Sequence, residues 1–218
     1  MSNSTFDFNV FIKETKDVLV SPKAYFASMK TTGGIAEPLI KALLYGLVAG
    51  VLKFIWSIVG LGVTTGALFG GAVGIMLLVW SIIGAVIALF IGAVIILIIS
   101  AICKGSTDFE SNVRVSASVM VVMPVGALLA FITGLNFTAG AIIGLVVNIF
   151  ALYLIYHALV ESLKGNAGTA KIVTYILIAL FVLFMLLGFG ARKKASNFMN
   201  DFKNQDFQEL LDEAQKNQ

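Results

Sequence analysis

The chain lacks most of what an enzyme or a soluble domain is built from. Its 218 residues contain one cysteine, one histidine and three prolines, and only 12% are charged. An ordinary soluble domain carries about 25% charged residues. With Cys103 alone, no internal disulfide is available, and neither redox nor His/Cys metal spacing exists. Cys103 falls at the end of an apolar run and is read as a packing residue. No phosphate loop, no nucleophile constellation and no nucleic-acid motif is present. No cofactor, no metal, no catalytic residue and no nucleic-acid partner is expected.

Charge is missing most completely between residues 54 and 103, fifty positions without Asp, Glu, Lys, Arg or His, bounded by Lys53 and Lys104. As helix this stretch would extend to about 75 Å, against a bilayer hydrocarbon core of about 30 Å. It therefore holds more than one straight crossing. A hydrophobic fraction of 59% and a mean hydropathy of +0.97 leave too little polar surface to cover a water-soluble fold. The apolar runs are continuous rather than alternating, which excludes a transmembrane barrel. The expected fold is all-α: a polytopic helical membrane protein with five transmembrane helices and amphipathic N- and C-terminal segments. The bilayer is its first partner, and other membrane proteins or a second copy are the further ones.

Residues 1–37 form a cytosolic or interfacial lead-in, with no cleavable signal peptide expected and the first span acting as its own signal. Phe6, Phe8, Val10 and Phe11, then Val18 to Val20, alternate with charged residues as in an amphipathic helix from about Asp7. Ser21-Pro22 restarts a helix carrying Tyr25, Phe26 and Met29, and Gly33-Gly34 ends it. This segment reads either as a docking surface or as a collar packed on its own bundle. The spans follow at about 38–60, 80–103, 115–133, 139–160 and 172–190. Residues 62–79 read as a re-entrant helix or as the first half of a long tilted span. Residues 191–218 form a basic tail, amphipathic or frayed.

Glycines at four-residue spacing mark helix faces that let backbones approach: Gly46 and Gly50; Gly62, Gly66, Gly70 and Gly74; Gly84 and Gly92; Gly140 and Gly144. Six other positions are candidates for function. Lys53 is a charge in an apolar run, either snorkelling beside Trp56 or lining a polar cavity. Arg114 closes the polar loop 104–114. Pro124 sits mid-span and should kink it. Asn148 lies one turn beyond Gly144. His157 and Glu161, four apart, share a helix face and could handle protons. With five spans and the N-terminus inside, Lys13, Lys16, Lys23, Lys30, Lys104, Arg114, Lys164 and Lys171 lie inside. Arg192, Lys193 and Lys194 then lie outside. That balance follows the positive-inside rule.

Several segments together resemble the Yip family, small membrane proteins named for interacting with Ypt/Rab GTPases. They are SPKAYF in the lead-in, GIAEPLIKALLYG at the first span and YHALVESLKGNAGTAKIVTYIL at the last hairpin. The loop KGSTDFESNVRVSASV, with Gly105, Phe109 and Arg114 ahead of Pro124, is the most recognisable. The resemblance implies a five-span bundle over 38–190 with a cytosolic N-terminus. Its eukaryotic members are associated with vesicle trafficking, Rab-type GTPases and membrane shape. This chain lacks their long N-terminal segment with an Asp-Leu-Tyr-Gly-Pro type motif. The resemblance therefore does not carry GTPase binding over to it, and a prokaryotic relative in the plasma (inner) membrane is expected. Its expected role is that of a non-enzymatic scaffold, adaptor or membrane organiser. The alternative is a small transporter or channel subunit with a polar path lined by Lys53, Asn148 and His157.

Overall fold

The computed structural model describes residues 6–61 and 71–188; all regular structure there is helical. The chain divides into two units, Met1–Ile178 and Ala179–Gln218. Five helical segments are long and apolar enough to cross a membrane: Ala36–Ile58, Leu78–Ile102, Phe109–Leu135, Phe137–Ser162 and Ala167–Gly188.

The lead-in folds as two short helices. Helix α1 (Phe8–Val20) starts where the Asp7 carboxylate accepts the N–H groups of Asn9 and Val10. Helix α2 (Pro22–Ser28) starts on proline, whose missing N–H costs nothing at that position. Their apolar sides bury Phe11, Val18, Tyr25 and Phe26, so both helices are packed on the bundle. Phe11 meets Tyr45 of the first span with ring centroids 5.1 Å apart, and the Thr15 hydroxyl lies 2.9 Å from the Tyr45 hydroxyl.

Helix α3 (Ala36–Ile58) is the first span. Helix α4 (Gly71–Ile102) runs 32 residues, about 48 Å, without interruption. The second span is therefore longer than the apolar pattern alone suggests. Residues 71–79 are the beginning of this long helix and not a separate re-entrant piece. The rest of the glycine ladder, Gly62, Gly66 and Gly70, lies outside the described residues; Gly74 falls in the first turns of α4. Helices α3 and α4 touch where side chains are smallest. A Cβ on Gly46 would stand 2.6 Å from that of Ala85, and one on Gly50 would stand 3.1 Å from that of Ser81. The gap lets the Ser81 hydroxyl donate to the Gly46 carbonyl at 3.0 Å. The same device joins α4 to the third span. Gly92 faces Ser116, whose hydroxyl donates to the Leu89 carbonyl at 2.9 Å.

The third span is three helices end to end: α5 (Phe109–Val119), α6 (Val122–Leu129) and α7 (Phe131–Leu135). It begins six residues before the expected Val115, so Arg114 is inside the helix rather than at its mouth. Pro124 has no N–H to offer the Met120 carbonyl four residues back. The Met123 N–H takes that carbonyl instead, at 2.9 Å, and the break falls one turn before the proline. The connection expected between the spans at 115–133 and 139–160 reduces to Asn136, which caps α8 (Phe137–His157) through the Ala139 N–H. Beyond His157 the helix widens into one π turn, Ala158–Ser162. The last helix, α9, covers Ala167–Gly188.

One end of the bundle gathers three segments distant in sequence. Ser162 donates to the Phe26 carbonyl, and Ser111 donates to that of Thr31. Two lysine–glycine turns lie back to back: Lys104 and Lys164 both adopt φ 56°, a left-handed conformation uncommon outside glycine. Ser106 N–H donates to the Leu163 carbonyl and Asn166 N–H to that of Cys103, both at 2.7 Å. A Cβ on Gly105 would meet the Leu163 carbonyl oxygen at 2.9 Å, and one on Gly165 would meet that of Leu159 at 3.1 Å. Cys103 is sealed beside them, its thiol pKa raised by burial. Lead-in and both polar loops therefore share one side, which fits the two membrane-length segments that lie between each of them and the next.

Two outcomes are expected from this packing. Gly46→Ala should destabilise by about 1–3 kcal/mol, because Ala85 and the Ser81 backbone must move. Gly84→Ala should be neutral or stabilising, because nothing described lies within 4 Å of the added carbon. Thermal unfolding in detergent measures both, and equal losses would remove the packing argument. Asp108 accepts both the N–H and the hydroxyl of Ser111 at the start of α5. These bonds hold its carboxyl below the usual carboxylate range. Their contribution is complete above the unfolded value of about 4 and fades as pH falls through the lower folded value. Asp108→Asn, which keeps a capping oxygen, should flatten that part of the acid limb of a stability–pH curve.

Candidate functional site

Helix α5 is the most enclosed element in the described bundle, although its sequence, FESNVRVSASV, is among the most polar. Residues 111 to 119 are all buried. Most of the polar ones are satisfied locally or by neighbours, Asn112 Oδ1 being the exception. Asn112 donates to the carbonyls of Ser106 and Asp108. Ser118 donates to the Arg114 carbonyl and lies 2.9 Å from the Tyr25 hydroxyl. Burial raises the Tyr25 phenol pKa well above its ordinary value, so it stays neutral.

Arg114 is the centre. Its side chain is 6% exposed, and its guanidinium reaches three groups. Nη1 lies 3.1 Å from Glu37 Oε2, Nη2 donates to the Gly34 carbonyl at 3.0 Å, and Nε lies 3.4 Å from Glu110 Oε1. Glu110 in turn accepts the Gly34 N–H at 2.6 Å. The Gly33-Gly34 pair makes this approach feasible. Gly33 has φ 127°, and a Cβ there would stand 2.8 Å from Arg114 Nη2, so a side chain is barred by conformation and by space.

Lys41 extends the cluster. Its ammonium is 2.8 Å from Glu37 Oε1 and 2.5 Å from Glu14 Oε2. The contact with Glu14 is an ion pair off the axis of an aligned hydrogen bond. Glu37 thus bridges the two cations with one oxygen each, and Glu14 brings α1 to them. The chain Glu14–Lys41–Glu37–Arg114–Glu110 joins the lead-in, the first span and the third. It forms part of the wall of a cleft of about 450 Å³ between α1, α2, the first turns of α3 and the second half of α5.

Of the residues singled out from sequence, only Arg114 lies here. Lys53 is exposed, twelve residues along α3 from Lys41 and so about 18 Å away, without an ion pair among the described residues. Asn148 is exposed and donates to the Gly144 carbonyl of its own helix. His157 stands edge-on to Tyr153 and Tyr156, with centroids 4.6 and 5.3 Å away. Glu161 lies in the π turn and pairs with Lys23 at 4.0 Å. The π turn begins directly after His157, and no hydrogen bond joins His157 to Glu161 among the described residues. Lys53, Asn148 and His157 do not line the cleft. Among the glycines, Gly46, Gly50 and Gly92 stand at crossings, and Gly140 lies against Thr133. Gly84 and Gly144 face no described atom within 4 Å.

Sequence reasoning passed over Glu14, Glu37, Lys41 and Glu110. A signal for three of them was present. Glu37/Lys41 and Glu110/Arg114 are both i,i+4 pairs of opposite sign at the entry of an apolar helix. Glu14 carried none, because only the docking of α1 selects it from its charged neighbours.

Five membrane-length helices with a charged, collar-covered cleft at one end define a multi-pass integral membrane protein. The Yip1 domain model matches residues 16–190, and the chain belongs to that family. Comparisons with curated proteins and with solved structures find no match.

Arg114→Ala should cost about 3–5 kcal/mol, because it strands Glu37 and Glu110 against a protein wall. Lys53→Ala should stay within about 0.5 kcal/mol. Chemical or thermal unfolding in detergent distinguishes the two, and an Arg114→Ala protein as stable as the parent would contradict the role given to the cluster.

Proposed function

We propose that this Yip-family protein is a non-enzymatic scaffold, adaptor or membrane organiser of a prokaryotic plasma membrane. Its lead-in and both lysine–glycine turns face the cytosol. The observation that carries this reading is the fastening of the lead-in to the same end as both polar loops. That end collects Lys13, Lys16, Lys23, Lys30, Lys104, Lys164 and Lys171 on three segments joined by hydrogen bonds. Such a surface offers headgroups and membrane-protein partners a fixed array of charge. The cluster beneath it sets three carboxylates against two cations and presents no nucleophile with an adjacent base. Its partners, on this reading, are lipids and other membrane proteins or a second copy.

The test has two arms. In a Cys103→Ser background, single cysteines at Lys16, Ser106 and Asn166 should resist an impermeant maleimide in intact cells and react once the cells are opened. Labelling of any of the three from outside would reverse the orientation. In proteoliposomes, solute flux that disappears with Lys53→Ala, Asn148→Ala or His157→Ala would replace the scaffold by a transporter. Flux indifferent to all three supports the scaffold.

A further inference from the structure

The lining of the cleft holds more charge than the ion pairs in its wall consume. Lys13, Lys30, Lys41 and Arg114 line it together with Asp7, Glu14, Asp17 and Glu37. Four cations and four carboxylates sum to zero, which suits neither a simple anion nor a simple cation. A ligand carrying both signs is the complement.

The unspent hydrogen bonds say where each sign would go. An ammonium has three N–H groups, and Lys41 has two carboxylate partners. A guanidinium has five, and Arg114 uses three. Both cations at the floor therefore keep N–H groups beyond those their carboxylate and carbonyl partners take. At the mouth, the Asp17 carboxylate and the ammonium groups of Lys13 and Lys30 have no side-chain partner among the described residues. Glu14, which contacts Lys41, and Asp17 are three residues apart on α1, so they share a face and lie about 4.5 Å apart along the axis. That is about the reach of a two-carbon linker between a phosphate and an amine.

Depth and lining agree. Lys41 and Arg114 are each the sixth residue of their spans, about 8 Å inside the entry and so at the headgroup level of a bilayer. The cleft also has an apolar side, from Phe11, Met29 and Pro38, and its volume falls within the range of small-ligand sites. We propose that it seats the headgroup of a phosphatidylethanolamine-type phospholipid, phosphate on Lys41 and Arg114, ammonium on Asp17. The lipid then lies between the collar and the spans. Binding of this headgroup does not depend on which side of the membrane the collar faces, so it stands apart from the proposed function.

The experiment uses the full chain in detergent, with short-chain phosphatidylethanolamine, phosphatidylglycerol and lipid-free glycerophosphoethanolamine as probes. Lipid-bound fraction is read by native mass spectrometry and by the shift in unfolding temperature. Phosphatidylethanolamine should bind about tenfold more tightly than phosphatidylglycerol. Asp17→Asn should remove that preference while leaving the lipid-free unfolding temperature unchanged. Lys16→Gln, a charge change on α1 outside the cleft, should leave it intact. Equal affinity for phosphatidylglycerol would make this a generic basic surface and overturn the proposal. Equal affinity for glycerophosphoethanolamine would make the ligand a soluble ester and overturn it as well. No retained lipid, or an Asp17→Asn protein that keeps the preference, would also overturn it.

Discussion

A guanidinium withdrawn from water cannot be left to find its own partners. Arg114 lies inside a span, one face of its helix against the first span and another against the lead-in, and every part of that neighbourhood is arranged to meet its charge. Glu110 comes from its own helix, one turn back, and Glu37 from the entry of the first span. The Gly34 backbone supplies a carbonyl because two glycines in succession let the chain pass close. Desolvating such a charge costs several kcal/mol unless all partners are in place. The cluster therefore constrains register as much as it holds the fold together: a slip of α3 by one residue, or a lead-in left undocked, would leave carboxylates facing each other or apolar walls.

The same logic explains why the small residues matter where they do. In lipid, apolar contact alone does not draw helices together, so close approach and hydrogen bonds across the gap carry more of the association. Gly46 with Ser81, and Gly92 with Ser116, are two instances of one solution: a missing side chain exposes a carbonyl, and a serine hydroxyl from the neighbour takes it. Gly84 and Gly144, spaced just as regularly, stand open toward no described atom. Spacing reports that a helix can be approached closely on a given face; it does not report that this chain supplies the neighbour.

That distinction separates what was legible in the sequence from what was not. Lipid-crossing length, helix class, five spans, the proline-initiated α2 and the Yip resemblance all follow from local composition and pattern, and the structure and the family match agree with them. The site does not follow in the same way. A periodic reading of α5 sees serines, asparagine and arginine and assigns them to water, whereas the fold buries residues 111–119 and pairs most of their polar groups internally. Polarity is a poor guide to exposure where the surroundings of the protein are themselves apolar. Between His157 and Glu161 the helix widens into a π turn, and nothing in single-sequence spacing announces such an insertion.

The two lysine–glycine turns also set an order of events. Every member of the Arg114 cluster comes from residues 14 to 114, so the cluster can close once the third span has entered the bilayer. The turn at Lys104 cannot: its backbone partners are Leu163 and Asn166, which do not yet exist at that moment of synthesis. Until the fourth span has been made, the nascent protein holds a finished charge lock beside an unfinished seam, and the ribosome's progress from Leu135 to Asn166, about thirty codons, separates the two.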